Sequence, residues 1–206
     1  EAFQESGRRV TLYKGVREWF ARINAYGAAR GIRILHYINS SGLKEIIEGT
    51  EIAHEFRRIY ACSFLYDIDG VAYWPAVAVN YTNKTQFIFK INKGVESVFD
   101  SKLVNQYIEE DKRPVPFRRM IYVGDGTTDI PCMRLVKNSG GHSIAVYNPE
   151  IRNARRELNG LIRDNRVSHV CPADYSEGSE MDTLVKTIID KIEADHRLEL
   201  LETPRT

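Results

Sequence analysis

The chain has 206 residues, of which 43% are hydrophobic and 28% are charged. These proportions are typical of a globular domain with its own core, and they exclude an intrinsically disordered chain. The 29 basic and 28 acidic residues leave a formal net charge of +1. Because nucleic-acid-binding proteins usually carry a concentrated basic excess, the composition predicts no nucleic-acid partner. It still allows a small phosphorylated substrate held by a few groups.

The three cysteines lie far apart, at positions 62, 132 and 171, and form no C-x-x-C pair. A sparse and odd number is typical of reduced thiols in a cytosolic protein rather than of a disulfide framework. No apolar run in the sequence approaches the roughly 20 residues that span a bilayer. The sequence therefore predicts a cytoplasmic protein without a membrane partner.

Apolar residues recur at helical spacing, or in short β-rich runs, along the first half of the chain. The predicted elements there are a helix over residues 15–30, a strand over 32–38 that breaks at 39–42, a second amphipathic helix, a hairpin of strands 58–66 and 71–74, and a helix that begins at Lys84. The charged residues 99–118 are predicted to form a long connection.

The second half of the chain alternates between continuously apolar strands and helices. Its predicted elements are a strand ending at Gly124, a helix from Ile130, a strand over 142–147, a charged helix around 150–163, a strand over 167–171 and a last helix from Ser179. This alternation predicts an α/β layered fold with a mostly parallel sheet. In such sheets the ligand binds at the carboxyl ends of the strands.

The segment Val123–Asp129 places two carboxylates, Asp125 and Asp129, around a glycine-rich turn at the end of an apolar strand. Small residues let the backbone approach a ligand closely, and hard oxygen ligands suit Mg²⁺. The competing interpretation is an ordinary turn in which Asp129 caps the next helix. The pattern strand-GDG-x-x-D is less common than a turn with a single aspartate, and its rarity favours the interpretation as a metal site.

Two further segments could bind an anion. Ser40, Ser41 and Gly42 lie where the predicted strand opens onto a helix, so hydroxyls and free N–H groups could hold a phosphate. Lys84 stands at a predicted helix start, where the helix dipole disfavours a cation unless an anion lies nearby. Taken singly, the simpler interpretations are favoured: helix capping by Ser41 and a solvated lysine at position 84.

The order of these three segments resembles motifs two, three and four of the haloacid dehalogenase superfamily. The resemblance covers residues 11–192 and looks closest to the branch with phosphoserine-phosphatase-like and pyrimidine-5′-nucleotidase-like enzymes; the residues that carry it are INSSG, NK and GDGTTDIPCM. It implies a Rossmann-like three-layer core. It also implies that Ser40, with Ser41 and Gly42, binds the transferring phosphoryl group and that Lys84 neutralises this group. Asp125 would ligate Mg²⁺, and Asp129 would complete or orient the shell of the metal.

Lys93, in Asn92-Lys93-Gly94, is a rival for the lysine role. It lies nine residues beyond Lys84 on the same predicted helix, about 13 Å away at 1.5 Å per residue. Both lysines cannot face one site without a break in the helix. Lys84, at the predicted helix start, is the preferred candidate for the lysine role.

The family's first motif, D-x-D-x-T/V, should precede INSSG and supply an aspartate nucleophile, but residues 1–38 contain no match. The one similar segment, Asp67-Ile68-Asp69-Gly70-Val71, follows INSSG and lies between two strand-like runs, which predicts a hairpin turn. We therefore expect the nucleophile, the first strand and a cap to lie upstream of this sequence. The strands that end at Ser40 and Gly124 would then lack the neighbour between them.

On this interpretation residues 1–10 return from the cap to the core, residues 11–195 form a partial core domain, and residues 196–206 are a polar tail. The predicted activity is Mg²⁺-dependent hydrolysis of a small phosphomonoester through an aspartyl-phosphate. We expect this fragment to be inactive by itself, because it lacks the nucleophile. The alternative is a catalytically silent phosphate-binding or protein-interaction module. A dinucleotide-binding domain ranks behind both, because no G-x-G-x-x-G follows a strand. The sequence makes no prediction of the oligomeric state.

Overall fold

A computed structural model describes residues 2–202 of the chain. The helices in this range are α1 (Ala2–Gly7), α2 (Val16–Ala28), α3 (Lys44–Glu48), α4 (Lys84–Asn92), α5 (Ser101–Asn105), α6 (Ile130–Asn138), α7 (Ala154–Arg163) and α8 (Glu180–Glu202). The strands are β1 (His36–Leu43), β2 (Phe56–Tyr66), β3 (Ala72–Val77), β4 (Ile121–Gly124), β5 (His142–Tyr147) and β6 (His169–Pro172). Short 3-10 turns lie at Ala53–Glu55, Glu110–Lys112, Phe117–Arg119 and Thr127–Asp129.

The described chain divides into two compact units, each with its own three-stranded sheet. The first unit comprises residues 2–11, 35–117 and 126–135, and the second comprises residues 12–34, 118–125 and 136–202. The chain therefore passes between the units several times. The sheet of the first unit has the order β1-β2-β3, and that of the second has the order β4-β5-β6.

The predicted hairpin is confirmed: β2 and β3 pair antiparallel around residues 67–71. The carboxylate of Asp67 accepts hydrogen bonds from the backbone N–H groups of Asp69 (3.0 Å) and Val71 (2.8 Å). Gly70 closes the turn with φ of 77°, in the left-handed region that glycine adopts without a steric penalty. Asp67 and Gly70 are thus required by the geometry of the turn.

The predicted break of the first strand at residues 39–42 is wrong. β1 continues through Ser40, Ser41 and Gly42 to Leu43, and it pairs parallel with β2. Asn39 lies opposite Tyr60 and Leu43 opposite Cys62, so three residues of β1 face a single residue of β2. The strand accommodates these residues as a bulge, because the partner strand continues to offer hydrogen-bonding groups beyond it. The following helix, α3, is only five residues long and begins at Lys44.

The helix predicted to begin at Lys84 is confirmed as α4, and its apolar stripe is buried as expected. Phe87, Ile88 and Ile91 are buried, and the ring of Phe87 packs on that of Tyr60 with centroids 5.3 Å apart. The Tyr60 hydroxyl donates a hydrogen bond to the carbonyl of Val95, just beyond the helix (3.0 Å). The core of the first unit therefore lies between β2 and α4.

The second sheet is entirely parallel, with β5 at its centre. Its strands correspond to the apolar runs predicted from the sequence, and β5 is buried over Ser143–Val146. Helix α8 closes the unit and continues to Glu202, into the predicted polar tail. Residues 203–206 of that tail, and Glu1 of the predicted return segment, lie outside the described residues.

The α/β class is confirmed, with one mixed and one parallel sheet. Three of the four ladders among residues 2–202 are parallel. The sequence predicts one mostly parallel sheet, whereas these strands form two, with β1 and β4 each at an edge. Within residues 2–202 no ladder joins β1 to β4. None of the helices within residues 2–202 is long and apolar enough to cross a membrane.

Candidate functional site

A buried ion pair joins two of the residues that the motifs single out. The ammonium nitrogen of Lys84 lies 2.6 Å from Oδ1 of Asp129, and the two residues are only 4% and 6% exposed. They are 45 residues apart in the sequence, one at the start of α4 and the other just before α6. Both belong to the first unit. The fold therefore brings the third and fourth predicted motifs together.

The carboxylate of Asp129 is held from two sides. Oδ1 accepts from Lys84, while Oδ2 accepts from the backbone N–H of Gly126 at 3.3 Å. Removing two charges from water costs several kcal/mol per ion, which only close pairing and further hydrogen bonds offset. Such a pair is weak evidence for stability by itself, since apolar side chains of similar volume often pack at least as well.

The backbone before α4 fixes the position of Lys84. Asn83, at the N-cap position, uses its side chain to tie the preceding loop: Oδ1 accepts from the N–H of Asn80 (2.8 Å) and Nδ2 donates to the carbonyl of Ala78 (2.8 Å). The N–H of Lys84 donates to the carbonyl of Asn80 (3.0 Å). The side chain of Asn83 thus bonds backward to the loop instead of capping the helix.

Sequence reasoning assigned no role to Asn39, which the structure places next to this pair. Its Nδ2 donates to the carbonyl of Lys84 (3.0 Å) and lies 3.9 Å from the thiol sulfur of Cys132 in α6. Its buried Oδ1 has no hydrogen-bond partner among residues 2–202. Asn39 thus links β1, α4 and α6 around the ion pair. In the sequence, this role is indicated by the position of Asn39, an amide residue directly after the apolar run that predicts the first strand.

The phosphate-binding segment predicted at Ser40–Gly42 lies in the β1 bulge, directly after Asn39. The Ser40 hydroxyl accepts from the N–H of Gly42 at 3.0 Å, and the carbonyl of Ser41 accepts from the Cys62 thiol at 3.4 Å. Ser41 and Gly42 are exposed, and Ser40 is half-buried. The expectation that Ser41 caps a helix is wrong, because Leu43 occupies the cap position of α3. Ser40, Ser41 and Gly42 thus lie in a strand bulge and not at a helix terminus.

Lys93 lies at the opposite end of α4, as its spacing from Lys84 predicts. Its ammonium donates to the carbonyls of Val104 (2.7 Å) and Gln106 (2.6 Å), which ties the connection after α4 to the helix. These contacts give Lys93 a structural role, because it joins the end of α4 to the following connection. Lys84 is the lysine that meets a motif carboxylate.

Asp125 belongs to the second unit and follows Gly124 at the carboxyl end of β4. The Asp125 side chain is exposed, whereas Gly124 is buried. Within this unit, burial raises the pKa of Tyr175, and the negative charge of Asp125 adds to this effect. The Tyr175 ring packs edge-on against Trp19, with centroids 5.2 Å apart. Asp125 therefore stands at a strand end near a half-buried tyrosine.

The residues predicted to hold Mg²⁺ are both carboxylates, the donor type that this ion prefers. Mg²⁺ is commonly held by one or two carboxylates together with water and substrate phosphate. Residues 2–202 contain no group of three or more His, Cys, Asp and Glu side chains arranged to hold a metal ion. Asp125 and Asp129 are thus each of the donor type that Mg²⁺ takes.

Comparison with known proteins yields one informative likeness. No family model matches the chain. The chain is similar to an uncharacterized protein of Borreliella burgdorferi, with 28% identity over 210 residues that cover 90% of this chain and 68% of that protein. The likeness therefore extends over both compact units. The name of the relative assigns no activity.

Proposed function

We propose that this chain is the core of a Mg²⁺-dependent phosphatase of the haloacid dehalogenase type, acting on a small phosphomonoester. The observation that carries the proposal is the buried contact of Lys84 with Asp129. In the family that the motifs resemble, the lysine of motif three and an aspartate of motif four serve one site. Here two residues 45 positions apart, chosen from the sequence for those roles, form a buried ion pair.

The chemistry required of Lys84 is electrostatic. Phosphoryl transfer develops charge on the phosphoryl oxygens, and fixed cations in a site shielded from water stabilise that charge strongly. Lys84 is buried, and both the ion pair and the anchored N-terminus of α4 hold it in position. It therefore needs little reorganisation when a phosphoryl group and a nucleophilic carboxylate arrive.

Asp125 and Asp129 are the residues that would hold Mg²⁺. When bound, the ion neutralises charge on the phosphate and helps to orient it. Asp129 keeps its carboxylate in place through Lys84 and the N–H of Gly126. Ser40, with the exposed backbone of Ser41 and Gly42, would bind the phosphate oxygens.

The proposed reaction needs a carboxylate nucleophile. Its oxygen attacks phosphorus, the ester P–O bond breaks, and the departing alkoxide takes a proton; water then cleaves the acyl phosphate to release inorganic phosphate. Asp67 is committed to the hairpin turn through two backbone hydrogen bonds, and Asp69 lies in that same turn. We therefore propose that the nucleophile comes from a D-x-D segment outside this sequence.

The edges of the two sheets support such a segment. In the proposed family the first strand, which ends in the nucleophile, lies between the strands of motifs two and four. β1, which carries Ser40, and β4, which leads to Asp125, are each an edge strand of their own sheet. Edge strands offer unpaired backbone groups to a further strand. In β4, Val123 is exposed although it is apolar.

The experiment is a phosphatase assay on the complete gene product, with p-nitrophenyl phosphate and with or without Mg²⁺. We expect Mg²⁺-dependent hydrolysis that Asp125→Asn abolishes and that Lys84→Ala lowers by about 10²-fold or more, the usual effect of losing one transition-state donor. Lys93→Ala is the matched control and should retain the rate. Full activity in Asp125→Asn would remove this residue from the metal site.

The alternative, a silent phosphate-binding module, predicts a different pattern. Such a protein binds orthovanadate or phosphate, and Lys84→Ala weakens that binding, yet no hydrolysis occurs with any phosphomonoester. A screen over nucleotides, sugar phosphates and phosphoamino acids distinguishes the two. The absence of hydrolysis across this screen, with folded protein and Mg²⁺ present, contradicts the enzyme.

A further inference from the structure

A cluster of large apolar side chains is exposed on the β2–β3 hairpin. Trp74 and Tyr73 are 63% and 61% exposed, and Leu65, Val71 and Ile68 are exposed as well. Leu65 and Trp74 are cross-strand partners, so their side chains lie on the same face of the hairpin. We call these five residues the hairpin surface. Monomeric proteins rarely expose such a group without a use for it.

The opposite face of the hairpin is already occupied. The ring of Phe64 stacks on Phe3 in α1 (centroids 6.0 Å apart), and the hydroxyl of Tyr66 bonds to Glu45 in α3. Phe64 is half-buried, and Tyr66, although 40% exposed, is held by its hydroxyl. Leu65 and Trp74, on the other face, are 44% and 63% exposed.

The edge of β3 is blocked for strand pairing by Pro75. Pro75 lies opposite Phe64, and the N–H of Phe64 donates to the Glu45 carboxylate (3.2 Å) rather than to β3. Because the N–H of Phe64 points away from β3, the nitrogen of Pro75 points away from β2, toward the open edge of the sheet. Proline has no hydrogen to donate to a further strand at that edge. A partner of this hairpin therefore binds through side chains and not by extending the sheet.

We propose that the hairpin surface is a contact between two copies of this chain. A two-fold contact uses the same surface on both copies, so an apolar surface on one copy meets an apolar surface on the other. The five residues carry no charge; the neighbouring carboxylates of Asp67 and Asp69 lie at the turn, where that of Asp67 is hydrogen-bonded to the backbone. The near-neutral chain adds little long-range repulsion between copies.

The exposed area is sufficient for a weak dimer. The five side chains together offer roughly 400–500 Å² of apolar surface per copy, from the usual areas of aromatic and aliphatic side chains. Two copies would remove about 800–1,000 Å² from water, which is less than the roughly 1,200 Å² of stable interfaces and falls in the range of weak contacts. Interfaces of this size are typically transient, so we expect a Kd in the micromolar range.

Sedimentation velocity over concentrations that span the micromolar range tests the proposal. The wild-type chain should pass from monomer to dimer as its concentration rises. Trp74→Lys places like charges opposite each other and should weaken dimerisation by about tenfold or more. Tyr107→Lys is the matched control, because Tyr107 is an aromatic residue of the same unit that is 82% exposed and lies outside the hairpin. The control should dimerise like the wild type.

Tryptophan fluorescence gives a second readout that does not depend on a variant. The chain has two tryptophans, and Trp19 is buried while Trp74 is exposed. Dimerisation should therefore shift the emission of Trp74 to shorter wavelength as concentration rises. A chain that remains monomeric throughout overturns the proposal, even if it binds neutral phosphatidylcholine vesicles instead. A dimer that Trp74→Lys and Tyr107→Lys leave equally intact also overturns it.

Discussion

The ammonium of Lys84 and the carboxylate of Asp129 lie 2.6 Å apart in the interior of the first unit. Because both groups are buried, removal of either partner leaves an uncompensated charge. We expect Asp129→Asn to lower the free energy of unfolding by about 3–5 kcal/mol. Lys84→Met combined with Asp129→Leu should recover much of that loss. Urea denaturation of the single and double variants measures the coupling.

The exposed pair of Lys44 and Glu48 provides the control for this cycle. Its Nζ–Oε1 distance is 2.9 Å, and both side chains are well exposed. Glu48→Gln should therefore change stability by no more than about 0.5 kcal/mol. If Asp129→Asn has an equally small effect, the Lys84–Asp129 contact is not a buried ion pair in solution.

The turn at Asp67 predicts a separation between stability and activity. Asp67→Ala removes two hydrogen bonds to backbone N–H groups, each worth about 0.5–1.5 kcal/mol. Gly70→Ala should cost about 1–2 kcal/mol, because φ of 77° is unfavourable for alanine. Asp69→Asn, in the same turn, should be nearly neutral. Thermal denaturation checks all three variants.

None of these turn variants should lower the initial rate of phosphomonoester hydrolysis in the complete gene product. Loss of hydrolysis in folded Asp69→Asn would identify the D-x-D of the hairpin as catalytic and contradict its assignment to a turn.

Asp182 predicts how acid destabilises the second unit. Burial by itself raises the pKa of this carboxyl, but hydrogen bonds from Lys186, the N–H of Gly178 and Arg22 outweigh burial and lower it. A carboxyl with a lowered folded pKa stabilises the protein above its unfolded pKa of 3.8, and this stabilisation is lost as the pH falls through the folded value. We therefore expect the urea midpoint to fall as the pH drops below about 5.

Asp182→Asn should flatten part of this pH dependence while lowering stability at pH 7. Asp195→Asn is the control, since its ion pair with Lys191 is exposed. If Asp182→Asn and Asp195→Asn change the urea midpoint by the same amount at every pH, the proposed role of Asp182 is contradicted.

The three cysteines should differ in reactivity toward a disulfide reagent. Cys132 and Cys171 are buried, and burial, aided by the charge of Glu180, raises the pKa of Cys171 to about 12. Since the thiolate is the reactive form, both thiols should react only on unfolding. Cys62 is half-buried and should account for the rapid phase, which Cys62→Ser removes. Equal rates for all three thiols in the folded protein contradict this expectation.

The sequence by itself determined the α/β class, most strand and helix positions, and the hairpin. These features depend on local patterns: the spacing of Phe87, Ile88 and Ile91 requires a helix, and Asp67 and Gly70 suit a turn between two β-rich runs. The sequence also singled out Lys84 and Asp129 as candidate site residues, because Lys84 stands at the start of a helix and Asp129 at the end of a glycine-rich turn.

Only the tertiary structure decided what those residues contact. The continuation of β1 through Ser40–Gly42 depends on the partner strand β2, whose hydrogen-bonding groups no local pattern reports. The contact of Asn39 with the Lys84 carbonyl joins residues 45 positions apart, and the ion pair of Lys84 with Asp129 spans the same separation. Such long-range contacts arise from the packing of β1, α4 and α6. Because the Lys84–Asp129 pair is buried, breaking it lowers the free energy of unfolding far more than breaking an exposed pair would.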